Sequence, residues 1–276
     1  MEKRIIFLDI DGTLTEPGSN VPPESALKAI KQAQENGHYV LLCTGRNYDM
    51  LSPLLKYGFD GLIASAGGYI EVGDKVIYDC PMTEGQRSLV MDVFQRNGIF
   101  RTVECKDGSF TDEGFKEFLK EHADEGSNSE LLRWREQIEK SLDIRPMAEY
   151  QQQPVYKIVF MGTDRKQLEE PKAVLSEDFN LVVQDPDENG IINGELMNRQ
   201  FDKGQGVQRV CEYLGIPVER TAGFGDSMND WEMMEVVGLG VCMANGSEQL
   251  KKIADDVCLS VSEDGLYHAF CKYHFI

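Results

Sequence analysis

The apolar run "RIIFLDI" at residues 4–10 constrains the fold most. It is unbroken, rich in β-branched residues, and ends on Asp9 and Asp11 with Gly12-Thr13 directly after. A strand that is apolar at every position is buried on both faces, which is the habit of parallel sheets covered by helices. The following segments keep that rhythm. "NVPPESALKAIKQAQENGH" sets Ala26, Leu27, Ile30 and Ala33 at helical spacing behind Pro23 and Glu24, and stops at Gly37. "YVLLCTG" (39–45) is a second buried strand, "NYDMLSPLLKYG" (47–58) reads as helical despite Pro53, and "DGLIASAGG" (60–68) is a third strand. The β-α-β-α-β alternation predicts an α/β fold, a Rossmann-like parallel sheet with helices on both faces.

"GYIEVGDKVIYDC" (68–80) breaks the rhythm with a Gly-Asp turn between two alternating runs, the pattern of a β-hairpin. Beyond it, amphipathic helices ("QRSLVMDVFQRNG", "SELLRWREQIEKSL") mix with isolated strands ("YKIVFMG", "NLVVQDP"). The acid-rich stretch "DEGFKEFLKEHADEGSNSE" reads as a solvated helix and loop. The opening rhythm then returns: helix "DKGQGVQRVCEYLGI", strand "RTAGFGD", helix "NDWEMMEVVG", strand "LGVCMANG", helix "SEQLKKIADD", strand "VCLSVS" and a closing helix "DGLYHAFCKYHF". Residues 1–82 and 190–276 are therefore expected to build one discontinuous core, with 83–189 inserted as an α+β domain.

Composition narrows the partners. Among 276 residues the formal net charge is −19, which repels nucleic acid and anionic membranes. An anion site here must carry its own local positive charge, from a lysine, backbone N–H groups or a metal ion. The seven cysteines are odd in number and form no C-x-x-C, and several sit in apolar runs. That pattern predicts a reduced, cytoplasmic protein. The apolar part of "MEKRIIFLD" is too short for a signal peptide, and no segment approaches the length of a membrane span.

Ligands of open α/β sheets bind beyond the carboxyl ends of the strands. The polar residues there are Asp9 and Asp11 after the first strand, Thr44-Gly45-Arg46 after the second, and Asp226, Asn229 and Asp230 after "RTAGF"; Lys203 opens the helix before that strand. Residues two apart in an extended segment share a side, so Asp9 and Asp11 are expected to face one pocket. Two such carboxylates repel unless a cation joins them, and Mg²⁺ fits, with Asp226 as a further ligand. One aspartate can then attack phosphorus while the other moves the proton of the leaving oxygen. Lys203 would neutralise the transferring group, and the Thr44 hydroxyl and Gly45 N–H would hold its oxygens.

With these residues in this order the chain resembles the haloacid dehalogenase (HAD) superfamily, specifically Cof-type phosphatases with a type-IIB cap. "DIDGTLT", the Thr44 of "TGR", the Lys203 of "FDKGQGV" and "GFGDSMND" match the four family motifs, and "SEDGLYHAF" matches the family's tail. The resemblance implies Asp9 as nucleophile, Asp11 as general acid/base, Asp9, Asp11 and Asp226 around Mg²⁺, Asn229 near phosphate or water, and Asp230 in support. It implies hydrolysis of a small phosphorylated metabolite such as a sugar phosphate, beneath a cap that excludes water and selects the leaving group. A hexose phosphomutase uses the same aspartyl-phosphate step, and a non-catalytic binding module could stand on the same scaffold. One departure is visible: Ala66 stands where the family carries asparagine.

Each residue alone has a blander reading. Asp-Gly after a strand is a common turn. Thr44 could belong to a turn, Lys203 to a solvated helix start, and Arg46 to a structural or rim position. His268, Cys271 and His274 recur every three residues, but their apolar neighbours fit packing better than a metal site. No G-x-x-x-x-G-K-[ST] occurs, which argues against a P-loop enzyme.

Overall fold

A computed structural model describes residues 2–115, 117–118, 144–183 and 191–276. The expected helix "SELLRWREQIEKSL" and most of the acid-rich stretch before it lie outside the described residues. In chain order the strands are β1 (Ile5–Leu8), β2 (Tyr39–Cys43), β3 (Gly61–Ala64), β4 (Tyr69–Val72) and β5 (Lys75–Asp79), then β6 (Phe100–Cys105), β7 (Gly108–Thr111), β8 (Ile144–Pro146), β9 (Val155–Gly162), β10 (Phe179–Val183) and β11 (Ile192–Asn198), and last β12 (Thr221–Gly225), β13 (Gly240–Met243) and β14 (Asp256–Cys258). They form two sheets, in two compact units.

The first unit comprises residues 1–46, 50–79 and 201–276. Its eight strands run in the order β14-β13-β12-β1-β2-β3-β4-β5, parallel except for the β4–β5 hairpin and its junction with β3. Ile5 to Leu8 are all fully buried, because β1 has strands on both edges and helices on both faces. On one face Ile5, Phe7, Leu41 and Ile63 pack against Val207, Val210, Met233 and Met234. On the other, Phe224 meets Phe270 of the closing helix Gly265–Lys272, ring centroids 5.6 Å apart. The chain winds outward from β1 in both directions, through β2 and β3 on one side and β12 to β14 on the other. β1 is thus the switch point of the sheet, where a crevice opens beyond the strand ends.

The second unit comprises residues 47–49 and 80–200. Its six strands run β10-β11-β9-β6-β7-β8, antiparallel except for β7–β8. Helix Glu84–Arg96 starts with a capping box between Thr83 and Gln86 and lays Val90, Val93 and Phe94 on the sheet. Phe94 and Phe160 meet edge to face there, at 5.3 Å. The opposite sheet face buries charge: Lys157 lies 2.7 Å from Glu195 and 3.4 Å from Glu104. Residues 192–198 are the strand β11 of this sheet, paired with both β9 and β10, so the chain re-enters the first unit only at Phe201. The α/β reading holds, with a Rossmann-like parallel core and a separate α+β unit.

Candidate active site

The segment after β1 is folded back on itself. The amides of Leu14 and Thr15 donate to the Ile10 carbonyl, and the Gly12 amide to that of Thr15. Gly12 has φ +80°, and a Cβ there would stand 2.3 Å from Asp226 Oδ2. Only glycine gives both the left-handed turn and room for that carboxylate. Gly225 obeys the same spatial limit, since a Cβ would come within 2.5 Å of Asp230 Cγ.

Lys203 is the first residue of the helix Lys203–Leu214, which Asp202 caps by accepting from the Gln205 amide at 2.7 Å. Its side chain is 1% exposed and its Nζ lies 2.7 Å from Asp9 Oδ1 and 2.6 Å from Asp230 Oδ1. Burial alone would lower the lysine pKa, but the charges of Asp230 and Asp9 reverse this and raise it. Asp9, Asp226 and Asp230 bring their ligand atoms within 4.8 Å of one another. Asp230 is fully engaged: besides Lys203 on Oδ1, its Oδ2 accepts from the amides of Asp226 and Ser227 at 3.0 and 3.2 Å. Asp226 and Asp9 are less satisfied. Burial and the neighbouring charge of Asp230 push Asp9 up to about 7, against the pull of Lys203. Burial, Asp9 and Asp230 push Asp226 up to about 8. Crowded carboxylates that offer only oxygen donors fit a hard divalent cation such as Mg²⁺, whose charge would offset their mutual repulsion.

The Asp11 carboxylate lies near enough to the cluster for its charge to help raise Asp9 and Asp226. The carboxylate beside Asp9 and Asp226 is Asp230, while Asp11 turns to Arg46. The Arg46 guanidinium donates from Nε to Asp11 Oδ2 at 2.8 Å and from Nη2 to Oδ1 at 2.7 Å. Two parallel N–H···O bonds hold that carboxylate in one direction. Thr44 is buried, and its hydroxyl accepts the Arg46 amide at 3.1 Å; Gly45 beside it is half-buried. Asn229 is exposed and accepts from the Ser227 hydroxyl at 2.8 Å. The structure therefore gathers Asp9, Lys203, Asp226 and Asp230, and sets Asn229 outward.

Arg46 takes the structural of its two expected positions: it is 8% exposed and wrapped by acceptors. One residue escapes the sequence reading. Asn245, in the loop after β13, donates its Nδ2 to the Gly12 carbonyl at 2.8 Å. It follows a core strand on the same sheet edge, so a reading of every such loop would have found it.

The site is a lysine-bridged carboxylate cluster beside the central strand of a Rossmann-like parallel sheet. The chain belongs to the haloacid dehalogenase-like hydrolase family, whose model matches residues 6–270. It is a phosphatase of the Cof type. Phosphatase YwpJ of Bacillus subtilis is 29% identical over 284 residues, covering 96% of this chain and 98% of its own. A haloacid dehalogenase-like hydrolase of B. subtilis superposes with TM-score 0.78 at 26% identity, over 98% and 99% of the two chains. The HAD subclass IIB sugar phosphatase BT4131 shares the fold at TM-score 0.77 and 22% identity, over 99% of this chain and all of its own. Among the described residues no helix is long and apolar enough to cross a membrane.

Proposed function

We propose that the chain is a Mg²⁺-dependent phosphomonoester hydrolase acting on a small phosphorylated metabolite, such as a sugar phosphate, through an aspartyl-phosphate on Asp9. The observation that carries this reading is the Asp9–Lys203–Asp230 bridge with Asp226 alongside. Lys203 fixes one oxygen of Asp9 and holds positive charge where the phosphoryl group would arrive. Asp9 and Asp226 are the residues to hold the cation, because Asp230 already spends its oxygens on Lys203 and two amides. When bound, Mg²⁺ supplies charge neutralisation to the phosphoryl oxygens and to the carboxylates. Thr44 and Gly45 line the carboxyl end of β2, where phosphate oxygens would find a hydroxyl and an amide. Asp11 is the proton donor and acceptor, and Asn229 a contact from the rim. The inserted unit, read from the sequence as residues 83–189, is assigned to a cap domain of type IIB.

The test is a panel of phosphate esters assayed with Mg²⁺ and with chelator. Release of inorganic phosphate that requires Mg²⁺ supports the proposal. Formation of an isomeric phosphate ester from a hexose 1-phosphate, without free phosphate, would assign a mutase instead. No turnover on any ester would leave only a binding role.

A further inference from the structure

The Arg46–Asp11 pair follows β1 and β2 on the strand ends that carry Asp9, near enough for the Asp11 charge to act on Asp9 and Asp226, and is more elaborate than a surface ion pair. Arg46 is 8% exposed and the Asp11 side chain 15%. Arg46 fills both Asp11 oxygens with a fork of two N–H groups. The far side of the guanidinium is anchored in turn: Nη1 donates to Asn20 Oδ1 at 2.6 Å and Nη2 to the Ser19 carbonyl at 3.2 Å. Asp11 Oδ1 also accepts the Gly18 amide at 2.9 Å. The Arg46 amide is itself tied to the Thr44 hydroxyl. One arginine thereby joins the loop after β1 to the loop after β2 and fixes the direction of the Asp11 carboxylate.

We propose that Arg46 is a positioning residue for proton transfer by Asp11. The inference rests on the phosphatase reading above. In the first half-reaction an Asp9 oxygen bonds to phosphorus and the bond from phosphorus to the ester oxygen breaks. That electron pair goes to the ester oxygen, which takes the proton of the Asp11 carboxyl group and leaves as an alcohol. Asp11 is then a carboxylate, the state its pairing with Arg46 suits. In the second half-reaction water bonds to phosphorus as Asp11 takes one of its protons, and the bond from phosphorus to Asp9 breaks. Inorganic phosphate departs, the Asp9 carboxylate returns, and Asp11 carries its proton again. Through both halves Asp11 must keep one orientation, and a rigid guanidinium fork holds two oxygens where an ammonium group holds one.

The prediction separates positioning from general scaffolding through the leaving group. An alkoxide needs the proton of Asp11 to depart, whereas an acidic phenol does not. kcat/KM reports only the steps up to departure of the alcohol, so the second half-reaction does not blur it. Arg46→Met is expected to lower kcat/KM on alkyl phosphates by about 100-fold and on p-nitrophenyl phosphate by no more than about threefold. Asp11→Asn should show the same split, and the double variant should be no worse than Asp11→Asn alone. If Arg46→Met does not fold, Arg46→Lys should show the same split to a smaller degree, with unfolding followed by circular dichroism. Equal losses on both ester classes, or additive losses in the double variant, would overturn the proposal. The underlying phosphatase reading fails differently, by absence of Mg²⁺-dependent turnover in the unaltered protein on either ester.

Discussion

Lys203 reaches Asp230 at 2.6 Å with neither side chain more than 1% exposed to solvent. Removing Asp230 leaves Lys203 with Asp9 as its remaining partner and takes the acceptor from the amides of Asp226 and Ser227. Asp230→Ala is expected to destabilise the fold by about 3–5 kcal/mol, the range for breaking a buried pair. Urea unfolding followed by circular dichroism measures this directly. A loss below about 1 kcal/mol would place the pair among surface-like bridges.

The pKa shifts set a pH dependence with a definite sign. Asp9 and Asp226 titrate near 7 and 8 in the folded chain, against an ordinary value of 3.8. Between these values the native state binds more protons than the unfolded state, so metal-free stability falls as pH rises. That unfavourable contribution is absent below about pH 4 and complete above about pH 8. The melting temperature in chelator should therefore drop between pH 5.5 and pH 8.5. Added Mg²⁺ should raise it most at the alkaline end, because the cation competes with those protons.

Gly12→Ala places a methyl group against Asp226 Oδ2 in a backbone of φ +80°. The strain is about 1–2 kcal/mol for the left-handed conformation alone. Because the displaced atom belongs to the cluster proposed to hold the cation, Mg²⁺ affinity by calorimetry should fall while the circular dichroism spectrum is retained.

Ala66 adopts φ 55° and ψ 29°, and Ser65 before it also has positive φ. Alanine has no short polar group to make that conformation easier, whereas glycine adopts it freely. Ala66→Gly is therefore expected to raise stability by about 1 kcal/mol in a thermal melt. A decrease would mean that the buried Ala66 methyl contributes more by packing than its backbone costs.

The core was legible because its strands are apolar without interruption. "RIIFLDI", "YVLLC" and "GLIA" can only be buried on two faces, and their positions along the chain imply a parallel sheet. β6, β7 and β11 were missed for the opposite reason. Arg101, Glu104 and Ser109 interrupt β6 and β7, and Asn193 and Glu195 interrupt β11, yet each of these polar side chains is buried or nearly so. Their partners come from distant strands, as with Lys157 and Glu195, so no local pattern announces them. At the site, Asp9, Lys203 and Asp226 were readable as residues following strands or opening a helix. The pairing of Asp11 with Arg46 was not, because it depends on where the Arg46 guanidinium ends up. Thirty-five residues separate Arg46 from Asp11, and only the pairing of β1 with β2 brings them together.

The central claim is that Asp9 carries the phosphoryl group. Acid quenching of a turnover mixture, followed by proteolysis and mass spectrometry, tests it most directly. The account predicts a substrate-dependent phosphate on the peptide containing Asp9, absent from Asp9→Asn, and loss of phosphate release in that variant. Phosphate release by Asp9→Asn at the rate of the unaltered protein would contradict it.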